Sequence, residues 1–136
     1  KALGVVVREA KTLVAAIYDD TGAVKGWRPL GGNIEFGERA EQTVCRELRE
    51  ELRADVRVIG QLGIFENVYR HHGAIGHEIV FAFHVALTKP GLAEAEAFVV
   101  EDEGVRFEAA WVPVADFHAG RETFFPQDLL PLVPIG

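Results

Sequence analysis

An α+β fold layered on a mixed β-sheet is predicted by three observations on this chain of 136 residues. Short runs rich in Val, Ile and Leu are separated by turn residues, one long segment switches to helical spacing, and strand-like runs lie on both sides of that segment. The length suits one core, so residues 1–136 are expected to form a single domain.

Ala2 to Arg8 and Thr12 to Tyr18 read as strands, because each is short, apolar and bounded by charged or turn residues. Asp19 to Gly22 make a turn and Val24 to Trp27 a short strand. Pro29, Gly31 and Gly32 then form a cluster whose Gly-Gly step permits close backbone approach. From Glu38 to Ala54 the residues Val44, Leu48 and Leu52 recur every fourth position, with Ala40 extending the row, which is the core-facing stripe of a helix. Val56 to Tyr69, broken at Gly60 and Gly63, and His77 to Leu87 are two further strands around a His71 to Gly76 turn. The second is apolar from Ile79 through Phe83, the pattern of a strand covered on both faces. Lys89-Pro90-Gly91 is a turn, Glu101 to Gly104 an acidic loop, Phe107 to Val114 a strand and Gln127 to Val133 a short last helix.

The formal charge of −7 argues against general nucleic-acid binding, which depends on clustered Lys and Arg releasing counterions. A small or metal-neutralised ligand fits this balance better. Cys45 is the one cysteine, so an intrachain disulfide and an all-cysteine zinc cage are both excluded. A reducing compartment, the cytoplasm, is the expected location. No apolar run approaches the roughly 20 residues that span a bilayer and no signal segment is read, so no membrane partner is expected.

At about 100° per residue, Glu47, Glu50 and Glu51 fall within an arc of about 100° bordering the apolar stripe. Crowded carboxylates are relieved by protonation, by basic partners or by a cation. Hard oxygen donors select Mg²⁺, Mn²⁺ or Ca²⁺, and Mg²⁺ is commonly held by a few carboxylates together with waters and substrate phosphates. The competing reading is a solvated helix face, with Arg46 and Glu50 at i,i+4 and Glu50 and Arg53 at i,i+3 as weak surface pairs.

The surrounding positions distinguish these readings. Gly32, Glu38, Arg46, Glu47, Leu48, Glu50 and Glu51 follow the spacing G-x5-E-x7-R-E-U-x-E-E, with U apolar. This resembles the Nudix box, on a loop leading into a helix. Two positions depart from the family pattern: Arg53 stands where a Gly is usual, so the helix must end differently or run longer, and Pro29 precedes Leu30 rather than the two glycines directly.

The resemblance implies an α/β/α sandwich, a central mixed β-sheet flanked by helices. It also implies a pyrophosphohydrolase using Mg²⁺ or Mn²⁺ on a small nucleoside diphosphate linked to another moiety: a nucleoside triphosphate, ADP-ribose, a dinucleotide or a nucleotide sugar. The alternative is a non-catalytic nucleotide- or metabolite-sensing module on the same fold. By position, Glu47 and Glu51 would be metal ligands, Glu50 a further or water-mediated one, and the Gly32 carbonyl a ligand from the loop. Arg46 would orient the carboxylates beside Glu38, with structural capping or pairing as the alternative role for both. The general base would be a box glutamate or an acid from Glu101, Asp102 and Glu103, of which Glu103 is taken as the candidate. Homodimers occur in the family, and this chain leaves that state open.

Trp27 and Arg28 are candidates for substrate contact, with Phe65 and Tyr69 behind them, because aromatic faces suit nucleobases. His77-Glu78 lacks the second histidine of a zinc protease helix, since Phe81 stands there. Glu78, opening a central strand, is therefore placed with the substrate-binding candidates, against the alternative of an exposed turn. His84 and Cys45 read as packed residues.

Overall fold

The structure, a computed structural model, describes residues 1–135. Among the described residues eight strands form one mixed sheet: β1 (Ala2–Val5), β2 (Val7–Arg8), β3 (Lys11–Tyr18), β4 (Val24–Gly32), β5 (Asp55–His71), β6 (Ala74–Lys89), β7 (Ala97–Asp102) and β8 (Val105–Pro113). The lateral order is β5-β6-β1-β4-β3-β8-β7, with β2 folding back on β3. β1 and β6 are parallel and the remaining pairs antiparallel.

Period-two alternation divides the strands between two faces. Leu13, Ala15, Phe83 and Val85 point to one side, where they pack with Val44, Leu48 and Leu52 of helix α1 (Ala40–Leu52). Val14, Ala82 and Val112 point to the other, where they meet Phe117 of the short helix α2 (Val114–His118) and Leu129 of a 3₁₀ turn over Gln127–Leu132. This is the α/β/α layering and the α+β class that the sequence predicts. No helix among the described residues is long and apolar enough to cross a membrane.

Several boundaries differ from the sequence reading, each for a physical reason. The first strand divides at Val6, where it changes neighbours: β1 pairs with β4 and β6, whereas β2 pairs with β3, onto which Glu9 and Ala10 at positive φ turn the chain back. β4 does not stop at Trp27 but runs through the two glycines. Its last β3 partner is Val14 opposite Pro29, and its first β1 partner is Gly4 opposite Leu30, so the missing proline N–H falls where the strand changes neighbours. The helix begins at Ala40, two residues later than expected, where the Arg39 N–H donates to the Gln42 side chain at 2.8 Å. The breaks expected at Gly60 and Gly63 are register shifts within β5. β6 is buried only around Val80 to Val85, and Ile79 is exposed. The acidic loop is the end of β7 and its turn into β8, and α2 and β7 were not anticipated.

Arg53, in place of the usual glycine, ends α1 in the left-handed conformation at φ 54° and ψ 32°, its N–H donating to the Arg49 carbonyl. The helix therefore stops in the glycine-type way, with a side chain that costs about 1 kcal/mol in that region. α1 lies close on β1: a Cβ at Gly4 would come within 2.9 Å of Leu48 and of Val44. Burying Leu48 contributes about 2–3 kcal/mol and fixes the helix over the β1–β4 pair.

Candidate active site

Docking of α1 on β1 and β4 sets Glu47 against Gly32. A Cβ built at Gly32 would land on the Glu47 carboxylate, so the glycine leaves the space that this side chain fills. Glu47 and Glu51, one helical turn apart, are both buried, and Asp102 from the end of β7 approaches them. One carboxylate oxygen from each of the three lies within 4.8 Å of the others.

Three acids so placed cannot all ionise without compensation. Burial, followed by the Glu47 and Asp102 charges, pushes Glu51 up to about 8. Glu47 is also raised, again chiefly by burial, against the lowering influence of Arg46. Glu51 Oε1 is buried and has no hydrogen-bond partner. An all-oxygen set with an orphaned buried acceptor, beside a glycine cradle, fits a hard divalent cation.

Arg46 organises the outer side of this corner. Its Nε donates to Glu38 Oε2 at 2.8 Å and its Nη2 to Glu38 Oε1 at 3.0 Å, a two-point fork. Nη1 reaches Glu47 Oε1 at 3.1 Å and Glu50 Oε2 at 3.3 Å, and Nη2 also donates to the Asn33 carbonyl at 3.2 Å. Glu38 additionally accepts from the Thr43 hydroxyl. The Arg46 guanidinium, then the Thr43 hydroxyl, hold the Glu38 carboxyl down at about 2. Arg46 itself is raised, principally by Glu38.

Two residues assigned to the site stand apart from the carboxylate triad. Glu50 turns to Arg46 with its side chain 53% exposed. Glu103 occupies the β7–β8 turn at φ 49° and is exposed, whereas its neighbour Asp102 enters the cluster. Alternation could have chosen between them: Phe98 and Val100 pack into the core cluster that includes α1, so Asp102, two residues on, shares their face.

A cleft of about 560 Å³ opens farther along β4, bounded by β3, β5, β6, the β8 end of the β7–β8 hairpin and the start of the last 3₁₀ turn. Arg28 and Glu78 line it, joined at 3.4 Å, and Asn67 donates to the same Glu78 oxygen at 3.3 Å. Burial, then the Arg28 charge, lower the pKa of the Lys1 side chain, against the raising effect of Glu78, Glu47 and Glu51. Trp27 is not a cleft residue. Its indole donates to Glu122 at 3.0 Å and it bridges to Phe124, so it ties down the C-terminal segment. Tyr69 lines the cleft, while Phe65 packs into the core beneath.

His77 pairs with Glu66 at 2.8 Å on the exposed hairpin, and His72 contacts Asp20. Burial raises the Cys45 thiol, consistent with a packed residue. Asn67 and Lys25, both on the cleft wall, carried no motif signal and were missed by sequence reading.

Comparison with known proteins gives a consistent picture. The NUDIX domain family model matches residues 1–133. No curated protein matches significantly. A NUDIX hydrolase from Nitrosomonas europaea is similar in structure at a TM-score of 0.70 and 17% identity, covering 97% of this chain and 83% of that one. A MutT NUDIX hydrolase from Burkholderia pseudomallei gives 0.66 and 20%, covering 98% and 95%. A NUDIX-family hydrolase from Clostridium perfringens gives 0.65 and 18%, covering 97% and 91%. At these identities the likeness is one of fold.

Proposed function

The chain belongs to the NUDIX domain family, and on that premise we propose that it is a divalent-metal-dependent pyrophosphohydrolase of small molecules linked through a nucleoside diphosphate. The observation that carries this reading is the convergence of Glu47, Glu51 and Asp102, with Glu51 Oε1 buried and unpartnered.

Glu47, Glu51 and Asp102 would hold Mg²⁺ or Mn²⁺, with Glu50 and the Gly32 carbonyl available at the edge. Such an ion supplies charge neutralisation at the diphosphate oxygens and a lowered pKa for bound water. Arg46, fixed by Glu38, orients Glu47 at 3.1 Å and keeps Glu50 beside the corner. The proton of an attacking water would go to a carboxylate oxygen of this corner that the ion does not engage, on a box glutamate or on Asp102. Arg28, already 3.4 Å from Glu78, offers a guanidinium to the rest of the substrate.

The test is Mg²⁺- and Mn²⁺-dependent hydrolysis of nucleoside triphosphates, ADP-ribose, dinucleoside polyphosphates and nucleotide sugars, read by product identity and repeated with Glu51→Gln. Cleavage at a diphosphate that the variant loses is the expected result. Absence of turnover from folded protein, with nucleotides still raising its thermal stability, would replace this reading with that of a sensing module.

A further inference from the structure

The chain carries a formal charge of −7, yet the cleft beyond Arg28 has the opposite balance. Lys25, Arg28, Arg70 and Arg106 line it against two carboxylates, Glu78 and Asp128. Glu78 is engaged by Arg28 and Asn67. The nearby Asp20 contacts His72, and Arg106 stands across the ladder from Glu101 without bonding to it.

Lys25 has an unusual partner. Its Nζ lies 2.8 Å from His71 Nδ1, and burial, then the Lys25 charge, lower the His71 pKa. In the neutral ring that this contact favours, Nδ1 accepts from the ammonium and Nε2 carries the proton. Lys25 and His71 both line the cleft, and paired in this way they have only donors left to offer a ligand. Tyr18, Tyr69, Phe107 and Phe125 supply aromatic surface on the same walls. Donors and positive charge match a phosphate, and aromatic faces match a base. Arg28 is four residues from Gly32 on one strand, about 13 Å, so this group is separate from the diphosphate at the carboxylate corner.

We infer that the cleft receives a nucleoside bearing a phosphate of its own, so that the preferred substrates are diphosphate-linked nucleotides with a phosphorylated ribose. This names a substrate class for the hydrolase reading above and rests on it.

Matched pairs test it: NADPH against NADH, and coenzyme A against its dephospho form. In the wild type kcat/KM for the phosphorylated member of at least one pair should be higher by about tenfold, the scale of one charge-assisted hydrogen bond. Lys25→Met, or Arg106→Gln on a separate strand if the first variant is misfolded, should bring that ratio close to one. In chelator, calorimetry should show the matching adenosine bisphosphate, 2′,5′ or 3′,5′, binding about tenfold more tightly than AMP, with the difference lost in the variant. Ratios near one in both pairs, with neither bisphosphate bound more tightly than AMP, overturn the inference and leave the hydrolase reading standing. Tighter, Lys25-dependent bisphosphate binding without turnover of any diphosphate upholds the cleft assignment and overturns the hydrolase reading.

Discussion

Glu38 grips one edge of the Arg46 guanidinium, with Nε to Oε2 at 2.8 Å and Nη2 to Oε1 at 3.0 Å, and so leaves Nη1 free to touch Glu47 and Glu50. Glu38 stands one residue before the helix N-cap Arg39 and Arg46 within the helix, so the fork joins the entry of the chain into α1 to the middle of that helix. Its effect on the site is indirect, through the orientation of Glu47.

Glu38→Gln keeps the size of the side chain and removes the charge. The expected loss is about ten- to a hundredfold in kcat with a smaller change in KM, measured by steady-state hydrolysis. The same pair predicts an acid limb. The Glu38 carboxyl is depressed to about 2 when folded, so its contribution is present above the unfolded value near 4.5 and is lost as pH falls through 2. Thermal melts between pH 5 and 2.5 should show a smaller decline for the variant than for the wild type.

Glu51 has the opposite sign. Its folded value is raised to about 8, so in metal-free protein the contribution is present below about 4.5 and disappears as pH rises through 8. In chelator the wild type should melt at a lower temperature at pH 8.5 than at pH 5.5, and Glu51→Gln should flatten that difference. The variant should also lose turnover by orders of magnitude; wild-type turnover would remove Glu51 from the catalytic set.

Gly32→Ala separates folding from chemistry. The added methyl meets the movable end of the Glu47 side chain, so the melting temperature should change little. Displacing that carboxylate should weaken Mn²⁺ binding by about tenfold or more by calorimetry. A large loss of stability with unchanged metal affinity would contradict the cradle role of Gly32.

Asp102→Asn and Glu103→Gln are a matched comparison on one turn. Turnover should fall by about a hundredfold or more for Asp102 and by less than about threefold for Glu103, because only the first meets Glu47 and Glu51. The reverse order would return the role to the turn.

Arg53→Gly relieves a left-handed side chain and should stabilise by about 0.5–1 kcal/mol in denaturant melts, with activity close to wild type. A large gain in activity would instead show that Arg53 impairs the carboxylate corner.

These comparisons also show what the linear sequence could reveal. Glu47 and Glu51 were legible because a helix fixes their spacing and Val44 and Leu48 fix its buried side. Gly60 and Gly63 were visible as breaks, although their meaning as register shifts depends on a partner strand distant in sequence. Trp27 was misplaced because its partners, Glu122 and Phe124, lie almost a hundred residues away and no local pattern announces them. The Lys25–His71 pair was hidden for the same reason: the two residues are 46 positions apart, on strands β4 and β5 that do not pair with each other, and neither belongs to a motif.

β4 serves as a ruler. Arg28 and Gly32 are joined by continuous extended backbone, and no flexible loop lies between them. Their separation is therefore counted in peptide units, as is the span from carboxylate corner to cleft. Changes in the surrounding loops can alter which group is recognised at either end, but resetting the length of molecule that reaches both requires rebuilding the strand that holds the sheet together.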